Sequence, residues 1–172
     1  MLAQSVTRRL PLWAAFLCAW WVQSYAYPRH WPDSLRPEWL LVMVIFVALR
    51  TTPTRGALWG LLAGWLIMLV HPGHAWWLLA WWVLFGYGLA WLHTQWYTEG
   101  RGFFVMASAL SVMLWHGLTW LGAWSGTAAP RRWTLSFIVA QWVVTLVCAL
   151  AWWHYAPRWI RLEIDRTEGS KQ

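Results

Sequence analysis

Six apolar segments, separated by short polar connections, make up most of this chain of 172 residues. They cover residues 10–27, 39–49, 56–70, 75–92, 102–124 and 133–156, and none contains an Asp, Glu, Lys or Arg. Only 11% of the residues are charged, whereas soluble domains carry about a quarter. Uncharged runs of this kind are typical of helices that cross a bilayer, whose hydrocarbon core is about 30 Å thick. The sequence therefore predicts an all-α integral membrane protein with about six transmembrane helices.

Two of the predicted helices, the second and the third, are short. Their segments hold 11 and 15 residues, whereas a spanning helix usually needs about 20. We still expect both to span, because Glu38, Arg50 and Arg55 can lie at the two interfaces, the arginines by snorkelling. The stretch RTTPTR between them is too polar to lie within hydrocarbon.

The first apolar segment follows Arg8 and Arg9, so a cleavable signal peptide is an alternative to a retained helix. Residues 24–26, Ser-Tyr-Ala, would offer a cleavage site with small residues at the required spacing. The segment is 18 residues long and contains three tryptophans, whereas the apolar part of a signal peptide typically has about 7 to 15 residues. A retained first helix is therefore favoured.

The distribution of basic residues predicts the orientation, because cytoplasmic connections hold the excess of Lys and Arg. With six spans, one side holds Arg8, Arg9, Arg50, Arg55, Arg101, Arg158, Arg161, Arg166 and Lys171, and the other holds Arg29, Arg36, Arg131 and Arg132. Both termini are thus predicted to be cytoplasmic, with one transmembrane domain over residues 1–156 and a charged cytoplasmic tail over 157–172. The net charge of +7 is spread between apolar segments rather than gathered in a patch, which favours the lipid bilayer over nucleic acid as a partner.

The positions of the acidic residues argue against catalysis or ion coupling within the membrane. Asp33, Glu38, Glu99, Glu163, Asp165 and Glu168 all fall in connections, at a helix start or in the tail. The sequence therefore predicts no carboxylate within the membrane-spanning segments, although intramembrane catalysis and ion coupling normally use one. Cys18 and Cys148 lie far apart without partners at metal-ligand spacing, so neither a disulfide nor a metal site is predicted.

The histidines are the remaining candidates for catalysis. His71 and His74 bracket a Pro-Gly turn and lack the glutamate of a helical zinc-protease motif. His116 has serines nearby in the sequence, but Ser108 is about two helical turns away and Ser111 points in another direction. No carboxylate is available to orient the imidazole as in a catalytic triad. We predict that the chain has no catalytic residue, no cofactor and no enzymatic activity.

Three glycines at four-residue spacing, Gly56, Gly60 and Gly64, form one face of the third helix. Such a face lets another backbone approach closely. The spacing does not decide whether a helix of the same chain or a partner protein packs there. Gln23 and Gln141, within the first and last segments, are predicted to tie helices together by hydrogen bonds.

The stretch WPDSLRPEWLL, residues 31–41, joins the first two predicted helices on the extracytoplasmic side. Pro37 stands where proline is best tolerated, at the start of a helix. Glu38 follows in the first turn, where a negative charge suits the helix dipole. The stretch is predicted to be a rigid extracytoplasmic corner containing Asp33, Arg36, Pro37, Glu38 and Trp39.

This stretch resembles the rod shape-determining protein MreD family of bacterial inner-membrane proteins. In that family, Arg-Pro, an acid or amide, and an apolar residue open the second helix, as Arg36, Pro37, Glu38 and Trp39 do here. Glycines four apart after a polar turn are a second shared feature, matched by Gly60 and Gly64. The family often carries an aspartate four residues later, where this chain has Met68.

The resemblance implies a non-enzymatic membrane scaffold of the cell-elongation complex, acting in cell-shape maintenance and lateral peptidoglycan synthesis. Its expected partners are MreC and, through it, MreB, RodA and a class B penicillin-binding protein. Two other functions remain open. The chain could be a small-molecule-binding membrane subunit of an energy-coupling-factor transporter, with tryptophans lining the pocket, or a membrane enzyme using His116 or the turn at His71 and His74.

Overall fold

The computed structural model describes residues 2–26, 37–70, 76–96, 101–124 and 135–155, which form six α-helices and no β-strand. The helices are α1 (Leu2–Trp21), α2 (Trp39–Ala48), α3 (Pro53–Val70), α4 (Trp76–Trp96), α5 (Arg101–Trp124) and α6 (Leu135–Tyr155). A π-helical turn, Val22–Ala26, extends α1. Within these described ranges the prediction of an all-helical protein is confirmed. Residues 157–172, the predicted charged tail, lie outside the described residues.

Two helix lengths differ from the sequence-based expectation. α1 begins at Leu2, so Arg8 and Arg9 lie within the helix rather than before it. α3 begins at Pro53 and has 18 residues, because proline is tolerated in a first turn, where its missing N–H would have no helical partner. At 1.5 Å per residue α3 is about 27 Å long, so it is longer than the predicted segment and long enough to be a candidate membrane span.

α2 is the one helix in the described part of the chain that is much shorter than a bilayer. Its 10 residues extend for about 15 Å, half of the hydrocarbon thickness. Two helical stretches, Pro53–Val70 and Ser136–Tyr155, are long and apolar enough to cross a membrane. Trp39–Ala48 and Gly102–Leu118 are shorter apolar helical stretches.

α2 forms the centre of the bundle. Every residue from Leu40 to Ala48 is buried, and the helix contacts each of the other five. A helix that is apolar on all sides is stabilised when other helices pack against every side. This uniformly hydrophobic segment therefore lies inside the bundle. Phe46 near its end packs edge-on against Phe104 of α5 and Trp152 of α6.

The contacts between helices fix their relative directions. α3 and α4 are antiparallel, because Gly56 faces Gly86 while Gly64 faces Leu79. α1 runs parallel to α3, since Trp13 packs on Trp59 and the Trp20 indole donates to the Leu66 carbonyl further along.

α2 reverses the direction of α1. Its first residues bond to Gln23 at the end of α1, and only four residues separate its last residue from the start of α3. α6 runs parallel to α2, because Glu38 bonds to Gln141 and Phe46 contacts Trp153. α1 and α3 therefore run one way, and α2, α4 and α6 run the other way.

The outer faces of the helices carry large apolar side chains. Exposed examples are Leu58, Trp65 and Leu69 on α3, Leu84 and Trp91 on α4, Met106, Leu110 and Met113 on α5, and Val139, Val143 and Val147 on α6. Soluble monomers rarely expose large contiguous apolar surfaces. This arrangement, with polar hydrogen bonds inside and hydrocarbon outside, suits a bilayer.

Candidate functional site

Four polar side chains meet at the start of α2, and we call them the Glu38 joint: Gln23, Glu38, Gln141 and Thr145. The Gln23 amide nitrogen donates to Oε2 of Glu38 at 2.7 Å. The Gln141 amide nitrogen donates to Oε1 at 2.8 Å. The carboxylate therefore accepts hydrogen bonds from both the extension of α1 and the middle of α6. The prediction that the two glutamines tie helices together is confirmed.

The same side chains cap the first turn of α2. Backbone N–H groups there have no partner within the helix, and the Glu38 side chain makes no capping bond of its own. The Leu40 N–H instead donates to Oε1 of Gln23 at 2.9 Å, and the Glu38 N–H donates to the Thr145 hydroxyl at 3.2 Å. Neighbouring helices thus supply the cap that α2 lacks.

Arg50 packs against the opposite end of α2. Its guanidinium lies over the rings of Phe46 and Trp153, 4.2 and 4.4 Å from their centroids. It also donates to the Phe46 carbonyl at 3.3 Å, and the Thr51 hydroxyl donates to the Val47 carbonyl at 2.9 Å. Glu38 is the N-cap residue and Arg50 follows the C-cap residue Leu49, and a negative charge before the helix and a positive charge after it both suit the helix dipole.

The Glu38 joint lies within the bundle rather than at its edge. Thr145 is ten residues from each end of α6 (Leu135–Tyr155), which corresponds to about 15 Å in either direction. Both Gln141 and Thr145 are buried. The prediction that Glu38 stands at a helix start is confirmed, but this start lies beside the middle of α6 rather than beside its end.

The three glycines of α3 lie against α4. A Cβ at Gly60 would overlap the carbonyl oxygen of Trp82, and one at Gly56 would overlap that of Gly86. A Cβ at Gly64 would lie 2.9 Å from Cδ1 of Leu79. The backbones of α3 and α4 therefore touch along this face, inside the chain.

Sequence reasoning missed the other half of this contact. Gly86 faces Gly56, and a Cβ on Gly86 would overlap the Gly56 carbonyl oxygen. Ala90, one turn further along α4, also faces Gly56. The sequence does contain two small residues four apart, Gly86 and Ala90. A single pair at this spacing is too common to indicate a packing face.

The candidate catalytic residues are not brought together as a catalytic pair. The Ser108 hydroxyl donates to the Phe104 carbonyl at 2.8 Å, and the Ser111 hydroxyl donates to the Ala107 carbonyl. Both bonds lie within α5, four residues back along the helix. His116 is buried on the same helix. His71 and His74 fall outside the described residues.

The predicted corner is only partly described. Asp33 and Arg36 lie outside the described residues, Pro37 is buried, and Glu38 and Trp39 are partly buried. Met68 lies partly buried on α3.

The cysteines and the possible metal ligands form no site in the described ranges. Both cysteines are free thiols, Cys18 exposed and Cys148 half-buried. Within those ranges, no three His, Cys, Asp or Glu side chains are grouped to hold a metal ion. Comparisons of the chain with models of protein families, with curated proteins and with solved structures gave no match.

Proposed function

We propose that the chain is an MreD-like, non-enzymatic scaffold of the bacterial inner membrane, crossing it several times and supporting cell elongation. The observation that carries this proposal is that the residues matching the family pattern lie at contacts between helices. Glu38 is bonded to two other helices, and Gly60 and Gly64 let α3 and α4 touch. These residues hold the helices of this chain together, and their structural use supports a scaffold rather than a catalyst.

The surroundings of the polar groups also support this proposal. The amides of the Glu38 joint bond to the carboxylate and to the start of α2, and the serines of α5 bond to their own helix. An enzyme would need a nucleophile or general base held within reach of a second functional group. The bonding described here fixes helix positions instead.

The partners proposed for this scaffold follow from the resemblance. They are MreC and, through it, MreB, RodA and a class B penicillin-binding protein, within a complex for lateral peptidoglycan synthesis. Six crossings of the membrane would return both ends to one side, which fits a protein with cytoplasmic termini. The excess of Lys and Arg on that side supports the same orientation.

The proposed function is tested by isolating the tagged full-length protein from its native membrane in mild detergent and identifying retained proteins by mass spectrometry. We expect enrichment of MreC, RodA or the class B penicillin-binding protein over an unrelated tagged membrane protein of similar size. Retention of ATPase subunits or a bound small molecule would instead identify a transporter subunit and overturn the scaffold proposal.

Substitution of Arg36 is expected to weaken partner binding without lowering the amount of protein. Arg36 precedes the buried Pro37 in the corner, and an arginine at an interface often contributes strongly to binding. We expect Arg36→Ala to reduce MreC recovery about tenfold, as loss of roughly 1.4 kcal/mol would do.

Arg29→Ala is the matched control for this experiment, because Arg29 is a second arginine in the same connection. It removes the same charge and should leave recovery unchanged. Equal recovery with Arg36→Ala and with the unmodified chain would show that Arg36 contributes nothing to docking.

A further inference from the structure

We propose that Glu38 is an ionisation-dependent latch between α2 and α6, in which protonation of the carboxylate weakens the bond from Gln141 while leaving that from Gln23. This inference concerns the bundle itself and does not depend on the scaffold function. It rests on the arrangement of donors and acceptors in the Glu38 joint.

The orientation of the Gln23 amide is fixed by two bonds. Its Oε1 accepts from the Leu40 N–H at 2.9 Å, so its Nε2 must be the atom 2.7 Å from Glu38. If this amide were turned over, its Nε2 would face the Leu40 N–H, which is also a donor. At Oε2, Glu38 therefore has to accept a hydrogen bond, which an ionised carboxylate does at both oxygens.

Gln141 is different, because its described bond to Glu38 leaves its amide able to turn. Its Nε2 donates to Oε1 of Glu38 at 2.8 Å. A proton arriving at Oε1 neutralises the carboxylate and turns that oxygen into a hydroxyl, which donates a hydrogen bond and accepts one more weakly than a carboxylate oxygen does. A strong bond to Gln141 then forms again when Gln141 rotates to present its own oxygen to the O–H group. Of the two glutamine bonds, protonation therefore changes the one between α2 and α6.

The position of the joint makes this change consequential. Bonds to an ionised acceptor are roughly twice as strong as those between neutral groups, and polar bonds count for more where water is excluded. Gln141 is 5% exposed and Thr145 is fully buried. Glu38 itself is partly buried, so loss of its charge weakens a strong bond whose other partner is shielded from water.

A test of the latch must distinguish protonation of Glu38 from protonation of other titratable groups near the joint. Tyr25 lies on the α1 extension, Cys148 lies one turn beyond Thr145 on α6, and Arg50 lies at the far end of α2. Arg29, His30, Asp33 and Arg36 precede Glu38 in the chain, outside the described residues. Of these, His30 and Asp33 also change charge on acidification, and His30→Gln and Asp33→Asn therefore serve as matched controls.

The test compares the full-length protein in lipid nanodiscs by infrared difference spectroscopy between neutral and acidic pH. We expect a carboxylic-acid carbonyl band together with a shift of a glutamine amide band. Glu38→Gln should lose the part of the acid band that Glu38 contributes, while the other acids of the chain give the remainder. Gln141→Leu should keep the Glu38 contribution but lose the amide shift. The His30→Gln and Asp33→Asn spectra should retain both features of the Glu38 joint.

Thermal unfolding provides the second measurement. We expect Tm of the unmodified chain to fall on acidification by an amount on the order of 5 °C, because protonation would remove the charge that strengthens the bond from Gln141. Glu38→Gln should have a lower Tm at neutral pH and a smaller change with pH. Should that variant fail to fold, the spectra of the unmodified chain and of Gln141→Leu still decide. An amide shift that survives in Gln141→Leu, or no acid band from Glu38, would overturn the latch.

Discussion

Replacing Gly60 with alanine is expected to lower the free energy of unfolding by about 1–3 kcal/mol, the usual cost of forcing extra atoms into a packed contact. The added methyl would overlap the Trp82 carbonyl oxygen, which belongs to the backbone of α4 and cannot rotate away. α3 and α4 would have to move apart along the whole glycine face. Gly60→Leu adds three further carbons at the same point and should prevent folded protein from accumulating.

Gly88→Ala is the matched control for Gly60→Ala. Gly88 lies on α4, and a Cβ there would meet nothing within 4 Å. Since alanine is favoured over glycine inside a helix by roughly 0.5–1 kcal/mol, this variant should be as stable as the unmodified chain or slightly more so. Unfolding in mixed detergent micelles measures both variants. Equal stability of Gly60→Ala and Gly88→Ala would contradict the close contact.

The same pair of variants separates an internal contact from a partner site. If the glycine face serves the fold, Gly60→Ala should lower stability and partner recovery together. If a partner protein also used this face, recovery would fall in a variant whose stability was unchanged. The position of Trp82 and Gly86 directly against these glycines favours the first outcome.

The number and order of helices could be predicted from the sequence because uncharged apolar runs leave few alternatives. Each of the six segments became a helix, and the boundaries of α2 differ by one residue from the predicted segment. The start of α3 was predicted three residues late, because Thr54 and Arg55 were taken as part of a polar turn. A first helical turn has free N–H groups and tolerates such residues.

The position of Glu38 could not be predicted in the same way. Sequence periodicity indicates which residues form a helix. It does not indicate at what level along its neighbour α6 the helix α2 begins. The contacts to Gln141 and Thr145, far away in the sequence, are what place Glu38 near the middle of α6. One clue was available, since a helix of 10 residues that ends near Arg50 must begin about halfway across a 30 Å layer.

Alkaline phosphatase fused after residue 128 is expected to be active, and fusions after residues 98 and 172 are expected to be inactive. The enzyme is active only outside the cytoplasm, so these fusions report the side reached after α5, α4 and α6. The expectation depends on whether the chain crosses the membrane at α2, which by its own length covers only half of the layer. If α2 did not cross, every later connection would change sides and all three results would be reversed.

The directions of the helices favour a crossing at α2. The end of α1 meets the start of α2 at Gln23, and the end of α2 leads within four residues into α3, which runs parallel to α1. A segment that turned back to the side it came from would not start α3 in that direction. Arg50 and Arg55 flank this turn and favour its cytoplasmic location. A fluorescent protein that folds only in the cytoplasm, fused at the same three positions, should give the opposite pattern. Activity of phosphatase after residue 172 would show that α2 is a re-entrant helix held within one half of the membrane by Glu38.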